Sequence, residues 1–87
     1  GHAAPARHEI AEIAVEHYGM MLEFYGLEAG LRHARKHLGW YLDRFAPSTT
    51  VEEKVQIMTS KNTNEVIAVL RGALERGAQD DASRKAA

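Results

Sequence analysis

The sequence predicts an all-α fold, a small antiparallel four-helix bundle, and three observations carry that expectation. Apolar residues recur at three- and four-residue spacing in four separate stretches, the signature of helices that bury one stripe. No stretch alternates strictly with period two, and none carries a hairpin turn between β-branched runs. The connections between the four stretches are short and rich in Gly, Pro, Ser, Thr and Asn, which brings sequential helices side by side.

The first stretch runs from about Ala6 to Tyr25, with Ile10, Ile13, Ala14, His17, Met21 and Phe24 as its expected inner stripe. Its glutamates suit the positive end of the helix dipole. Gly26 and Gly30 then favour a turn. From Leu31 to Phe45 the residues Leu31, Ala34, Leu38, Tyr41, Leu42 and Phe45 stack on one side of a second helix. Pro47 ends it, and Thr50 with Glu53 stands at the spacing of a capping box, so a third helix should begin near Val51. Val51, Val55 and Met58 are its expected apolar positions, with a stop near Ser60. Asn62 and Glu65 form a second candidate cap. Val66, Ile67, Leu70, Ala73 and Leu74 then make the inner face of a fourth helix ending near Gly77.

The chain has 87 residues, 45% hydrophobic and 26% charged. A chain of this size buries about 60–65% of its unfolded surface, enough for one small core and too little for a cofactor cleft plus a substrate site. The absence of cysteine excludes a disulfide framework, a thiolate nucleophile and a Cys-based zinc site, and fits a cytoplasmic setting. No apolar run approaches the roughly 20 residues of a membrane helix. Gly1-His2 reads as an expression scar. The expected organisation is a scar and disordered start over 1–5, a helical domain over 6–78 and a flexible tail over 79–87.

Charge is unevenly placed. Residues 1–30 set Arg7 against Glu9, Glu12, Glu16, Glu23 and Glu28, whereas residues 31–45 set Arg32, Arg35, Lys36 and Arg44 against Asp43 alone. At 100° per residue, Arg32, His33, Lys36, Trp40 and Arg44 gather opposite the buried stripe of the second helix. Lys36, Trp40 and Arg44 follow at successive i, i+4 positions, so an aromatic lies between two cations. Such a tryptophan is exposed, covered by the stems of Lys36 and Arg44, or buried against something outside the chain. Three readings of this face stay open on spacing alone: phosphate contact with a ring available to stack on an unpaired base, an interface anchored by Trp40, or a solvated basic face.

His33 and His37 stand one turn apart, but no third ligand accompanies them and Arg35 and Lys36 lie between them, so no metal site is expected. His17 is expected as a hydrogen-bonded histidine at the core edge, and Met20, Met21 and Met58 as core filler. Glu9, Glu12 and Glu16 form a hydrated acidic face. No paired carboxylates, Ser-His-Asp set or glycine-rich phosphate loop can be assembled, so the chain offers no reaction centre of its own.

The segment Gly30-Leu31-Arg32-His33-Ala34-Arg35-Lys36-His37-Leu38-Gly39-Trp40-Tyr41-Leu42 resembles the C-terminal helical domain of bacterial tRNA-dihydrouridine synthases. Arg35-Lys36-His37 followed by Trp40-Tyr41 carries the resemblance, preceded by His17-Tyr18 and Phe24-Tyr25-Gly26, and the DusB branch, also described as NifR-like, is the most similar. The resemblance extends over about residues 8–77. Near the start of helix three, where another basic residue is expected, this chain has Glu52 and Glu53. The resemblance implies an enzyme in which an FMN-bearing TIM barrel reduces a tRNA uridine with reducing equivalents from NADPH. It also implies that the helical domain binds and orients the tRNA. No barrel strand or catalytic cysteine is present here, so none of those residues is carried over, and no cofactor is expected on this chain. The resemblance and the helical wheel together nominate Arg32, Arg35, Lys36, His37, Trp40 and Arg44 as RNA-binding residues, with Arg35 near the edge of the buried stripe. The expected partners are tRNA and the catalytic barrel, not a membrane or DNA. The alternative is a protein-interaction or domain-docking module that uses the Trp40 face.

Overall fold

The computed structural model describes residues 6–86, and the start expected over 1–5 lies outside the described residues. A 3-10 turn, Arg7–Glu9, leads into four helices: α1 (Ile10–Tyr25), α2 (Leu27–Phe45), α3 (Val51–Thr59) and α4 (Thr63–Ala86). The all-α bundle holds, with no strand among the described residues.

A single residue, Gly26, separates α1 from α2. Its φ of 82° lies in the left-handed region that glycine enters without a side-chain clash, so the chain reverses there into an antiparallel pair. Four residues later, Gly30 lets α2 lie flush on α1: a Cβ at that position would stand 2.8 Å from Leu22 Cα and 2.9 Å from Met21 O. α1 is also antiparallel to α4: Arg71 donates to Glu12 in the first turn of α1 at 2.7 Å, and Arg7, five residues earlier, stands beside Asp81, ten residues further along α4, at 3.4 Å.

The core comprises Ile10, Ala11, Ala14, Tyr18 and Met21 from α1, Leu31, Ala34, Leu38 and Leu42 from α2, Ala46, Ile57 of α3, and Val66, Leu70, Ala73 and Leu74 from α4. α2 thus buries the expected stripe, with Tyr41 and Phe45 half-buried at its margin. It begins earlier than the periodicity suggested, at Leu27.

α1 buries Ile10, Ala14 and Met21 of its expected stripe and half-buries His17, but is rotated relative to the rest of the expectation. Ile13, Met20 and Phe24 face outward, Phe24 being 81% exposed, while Tyr18 is fully buried in the space beside the small residues Ala11 and Ala14. α3 departs in the same way. Val51 and Val55 are 73% and 55% exposed, and Ile57 is its buried residue, with Met58 packed against the core. This short helix meets its neighbours through Glu53, hydrogen-bonded to Arg76, and through Ile57 and Met58, packed against the core.

The capping box forms as the spacing required. Thr50 Oγ1 accepts from Glu53 N at 3.1 Å, and Thr50 N donates to Glu53 Oε1 at 2.9 Å. Glu53 also takes two hydrogen bonds from Arg76 of α4, at 2.7 and 3.1 Å. Hydrogen bonds from Arg76, and then from the Thr50 backbone, hold its carboxyl down to about 2. The Asn62 cap is present as well, accepting from Glu65 N at 3.2 Å.

α4 does not stop near Gly77. It continues through Ala86, so the segment from Gln79 that was expected as a flexible tail is helical. Asp81, on that extension, lies within ion-pair distance of Arg7, Arg84 and Lys85. Gly77 has a packing role instead: a Cβ there would overlap the Phe45 carbonyl oxygen and come to 3.0 Å from Ala46 Cα. Arg7 donates to that same carbonyl at 3.0 Å and to Gly77 O at 3.4 Å, which places a cation at the negative end of α2.

Two predictions follow from this packing. Gly77→Ala should destabilise the fold by about 1–3 kcal/mol through overpacking against backbone, whereas Gly72→Ala, where a Cβ meets nothing within 4 Å, should stabilise it by about 0.5–1 kcal/mol. Urea unfolding followed by circular dichroism measures both. Because the folded pKa of Glu53 lies below its unfolded value, its contribution is full above about pH 4.5 and is lost as pH falls toward about 2. Glu53→Gln, which can keep the capping box but not the charge, should flatten the acid limb of the stability profile over that window.

Candidate nucleic-acid interface

One side of α2 belongs wholly to the core, so the opposite side is held outward by the same helix geometry. Arg32, His33, Lys36, His37, Trp40 and Arg44 are all exposed there. Trp40 is 58% exposed. Within this chain it is exposed, and its ring stands edge-on to Tyr41 at 5.3 Å and Phe45 at 5.7 Å between centroids. The Arg44 guanidinium lies over Phe45, 5.3 Å from its centroid.

Rings extend along the seam between α1 and α2. His17 of α1 is half-buried, 4.9 Å from the His37 ring and 6.3 Å from Tyr41; its neighbours are rings, where a core-edge hydrogen bond was expected. At the other end, His33 stacks on Tyr25 at 4.2 Å and 21° between planes. Sequence spacing did not join these residues across the two helices.

Arg35 sits apart from the other candidates. It is half-buried, and its Nε is enclosed without a hydrogen-bond partner, as is the hydroxyl of Tyr18. Burial pushes the Tyr18 hydroxyl pKa up, and the charge of Arg35 partly offsets that rise. Arg35 therefore faces the α1–α2 seam, while Arg32, Lys36 and Arg44 face solvent.

The cations of the protein divide by partner. Arg7, Arg71, Arg76, Arg84 and Lys85 each stand within 4 Å of a carboxylate. Among the described residues, Arg32, Arg35, Lys36 and Arg44 of α2 make no ion pair, nor do Lys54 and Lys61, but only on α2 do unpaired cations flank an exposed aromatic, Trp40. Glu53, which departs from the expected basic character near the start of helix three, spends its carboxylate on Thr50 and Arg76. No group of three or more His, Cys, Asp or Glu among the described residues could hold a metal, and no described helix is long and apolar enough to cross a membrane. An open groove is walled by Arg7, His8, Glu75, Gln79, Asp81 and Lys85. Its open walls, with acidic and basic side chains mixed, do not fit a flavin ring.

Fold and site together define a small all-α module that carries an unpaired basic and aromatic face on its second helix. Residues 1–78 match the family model described as dihydrouridine synthase (Dus), and the chain belongs to that family. It is 60% identical over 80 residues, 92% of its length, to a protein of Rhizobium leguminosarum bv. phaseoli named probable tRNA-dihydrouridine synthase. It is 36% identical over 69 residues, 79% of its length, to one of the same name from Rhodobacter capsulatus. A tRNA-dihydrouridine synthase B of Pasteurella multocida shares 33% identity over 55 residues, 63% of this chain and 17% of its own length. The chain spans about a quarter and a fifth of the first two relatives. No solved structure matches.

The chain has one tryptophan, so its fluorescence reports this face alone. Iodide should quench Trp40 more efficiently than caesium, because Lys36 and Arg44 concentrate anions beside it, and added salt should narrow the difference. Equal quenching would show that the face carries no net positive potential.

Proposed function

We propose that this chain is the helical domain with which a tRNA-dihydrouridine synthase holds its tRNA, while a flavin-bearing barrel elsewhere in the parent enzyme reduces the uridine. The observation that carries this reading is the unpaired set of Arg32, Lys36 and Arg44 around an exposed Trp40. Cations kept free of carboxylates are available to phosphates, which supply position and affinity. The indole offers a face on which an unpaired base can stack. His37, exposed beside them, adds a hydrogen-bond donor, and Arg35 supports the helix pair from within the seam. FMN and NADPH belong to the barrel in this reading, and the setting is cytoplasmic. The chain itself contributes binding and orientation, not chemistry.

The test is folded tRNA titrated against the 87-residue protein over a range of salt. With three or four phosphate contacts, log affinity should fall with log salt at a slope of roughly −2 to −4. Lys36→Ala should weaken binding, reduce that slope by about one and leave helicity intact. Binding that is indifferent to salt and to Lys36 would remove this function from the α2 face.

A further inference from the structure

α1 carries two apolar stripes, and the bundle uses one. The buried stripe holds Ile10, Ala14, Tyr18 and Met21. The second, Ile13, His17, Met20 and Phe24, steps by four, three and four residues, and at 100° per residue falls within an arc of about 60°. Met20 is 60% exposed, and with Glu23 and Phe24 it lines a shallow depression. Leu27, just past the Gly26 turn, is also exposed. His17, at the inner edge of this stripe, is half-buried against His37, but Ile13, Met20, Phe24 and Leu27 are large apolar groups left exposed, the pattern of a helix face that meets a partner.

We propose that this stripe is a docking surface for the rest of the parent polypeptide, distinct from the Trp40 face. This rests on the family membership and does not depend on the RNA reading. Two observations choose the occupant. Glu16 and Glu23 border the stripe and are exposed, so its rim repels phosphates and suits an apolar protein surface edged with Lys or Arg. In the 60%-identical relative the matched stretch is 25% of the length. Three quarters of that polypeptide is therefore tethered to the domain, at an effective concentration far above that of any second copy.

The experiment compares the 87-residue protein with a chimaera in which it replaces the matched stretch of the Rhizobium relative. Hydroxyl-radical oxidation is read by peptide mass spectrometry without RNA. The proposal expects Met20 to be oxidised readily in the 87-residue protein and several-fold less in the chimaera, with Trp40 equally reactive in both. Met20 equally reactive in both overturns it, as does protection of Trp40 alone, which would place docking on α2. Protection of Met20 in the 87-residue protein that disappears on dilution would assign the stripe to a second copy and also overturn it. A second variant guards against a misfolded chimaera. Met20→Ser with Phe24→Ser should change the thermal midpoint of the 87-residue protein little, since both side chains are mostly exposed and the one ring contact there is the edge of the exposed Tyr25. In the full-length chimaera, the same pair should increase protease cleavage between the two parts, and unchanged cleavage would count against docking.

Discussion

Everything on the surface of this protein depends on how closely α2 is pressed onto its neighbours. At one end Gly30 lets the helix touch the α1 backbone, and at the other Gly77 admits the Phe45 carbonyl against α4. Between these two contacts Leu31, Ala34, Leu38 and Leu42 are buried. A helix pinned at both ends cannot rotate, so the remaining side chains have one direction left. The outward placement of Arg32, Lys36, Trp40 and Arg44 is a consequence of core packing.

The open faces of α1 and α2 differ in chemistry. α2 presents cations without carboxylate partners, while α1 presents an apolar stripe edged with glutamates. The near-zero net charge of −1 conceals this separation. Ion pairing accompanies it: Arg7, Arg71, Arg76 and Arg84 are held by carboxylates that tie helices or lie on the α4 extension, while the α2 cations make no ion pair among the described residues. A surface divided in this way can meet an anionic polymer on one side and a protein on another without either competing for the same groups.

The fold class, the α2 stripe and both caps were legible in the sequence because each rests on short-range spacing: a 3-4 period, or a side chain three residues from its backbone partner. What was misread depends on tertiary choice. α1 has two apolar stripes, and periodicity does not say which one the bundle takes; Tyr18 is buried together with Ala11 and Ala14, and Ile13 and Phe24 are left outside. α3 is so short that one residue, Ile57, decides its orientation. Gly77 has the composition of a helix stop, but its lack of a Cβ serves a contact with α2, and Asp81 then meets Arg7 from the far end of the chain. The candidate site was legible as a face. The seam of His17, His37 and Tyr41, and the inward position of Arg35, required knowledge of how α1 and α2 meet.

The central claim is that the α2 face, held outward by the core, is the part of this domain that meets RNA. The most direct test is nuclear magnetic resonance of the isotopically labelled protein during titration with folded tRNA at two salt concentrations. The account predicts salt-sensitive shifts confined to residues 32–44, including the Trp40 indole, with the amides around Met20 and Phe24 unmoved. Shifts centred on the α1 stripe, or none at low salt, would contradict it.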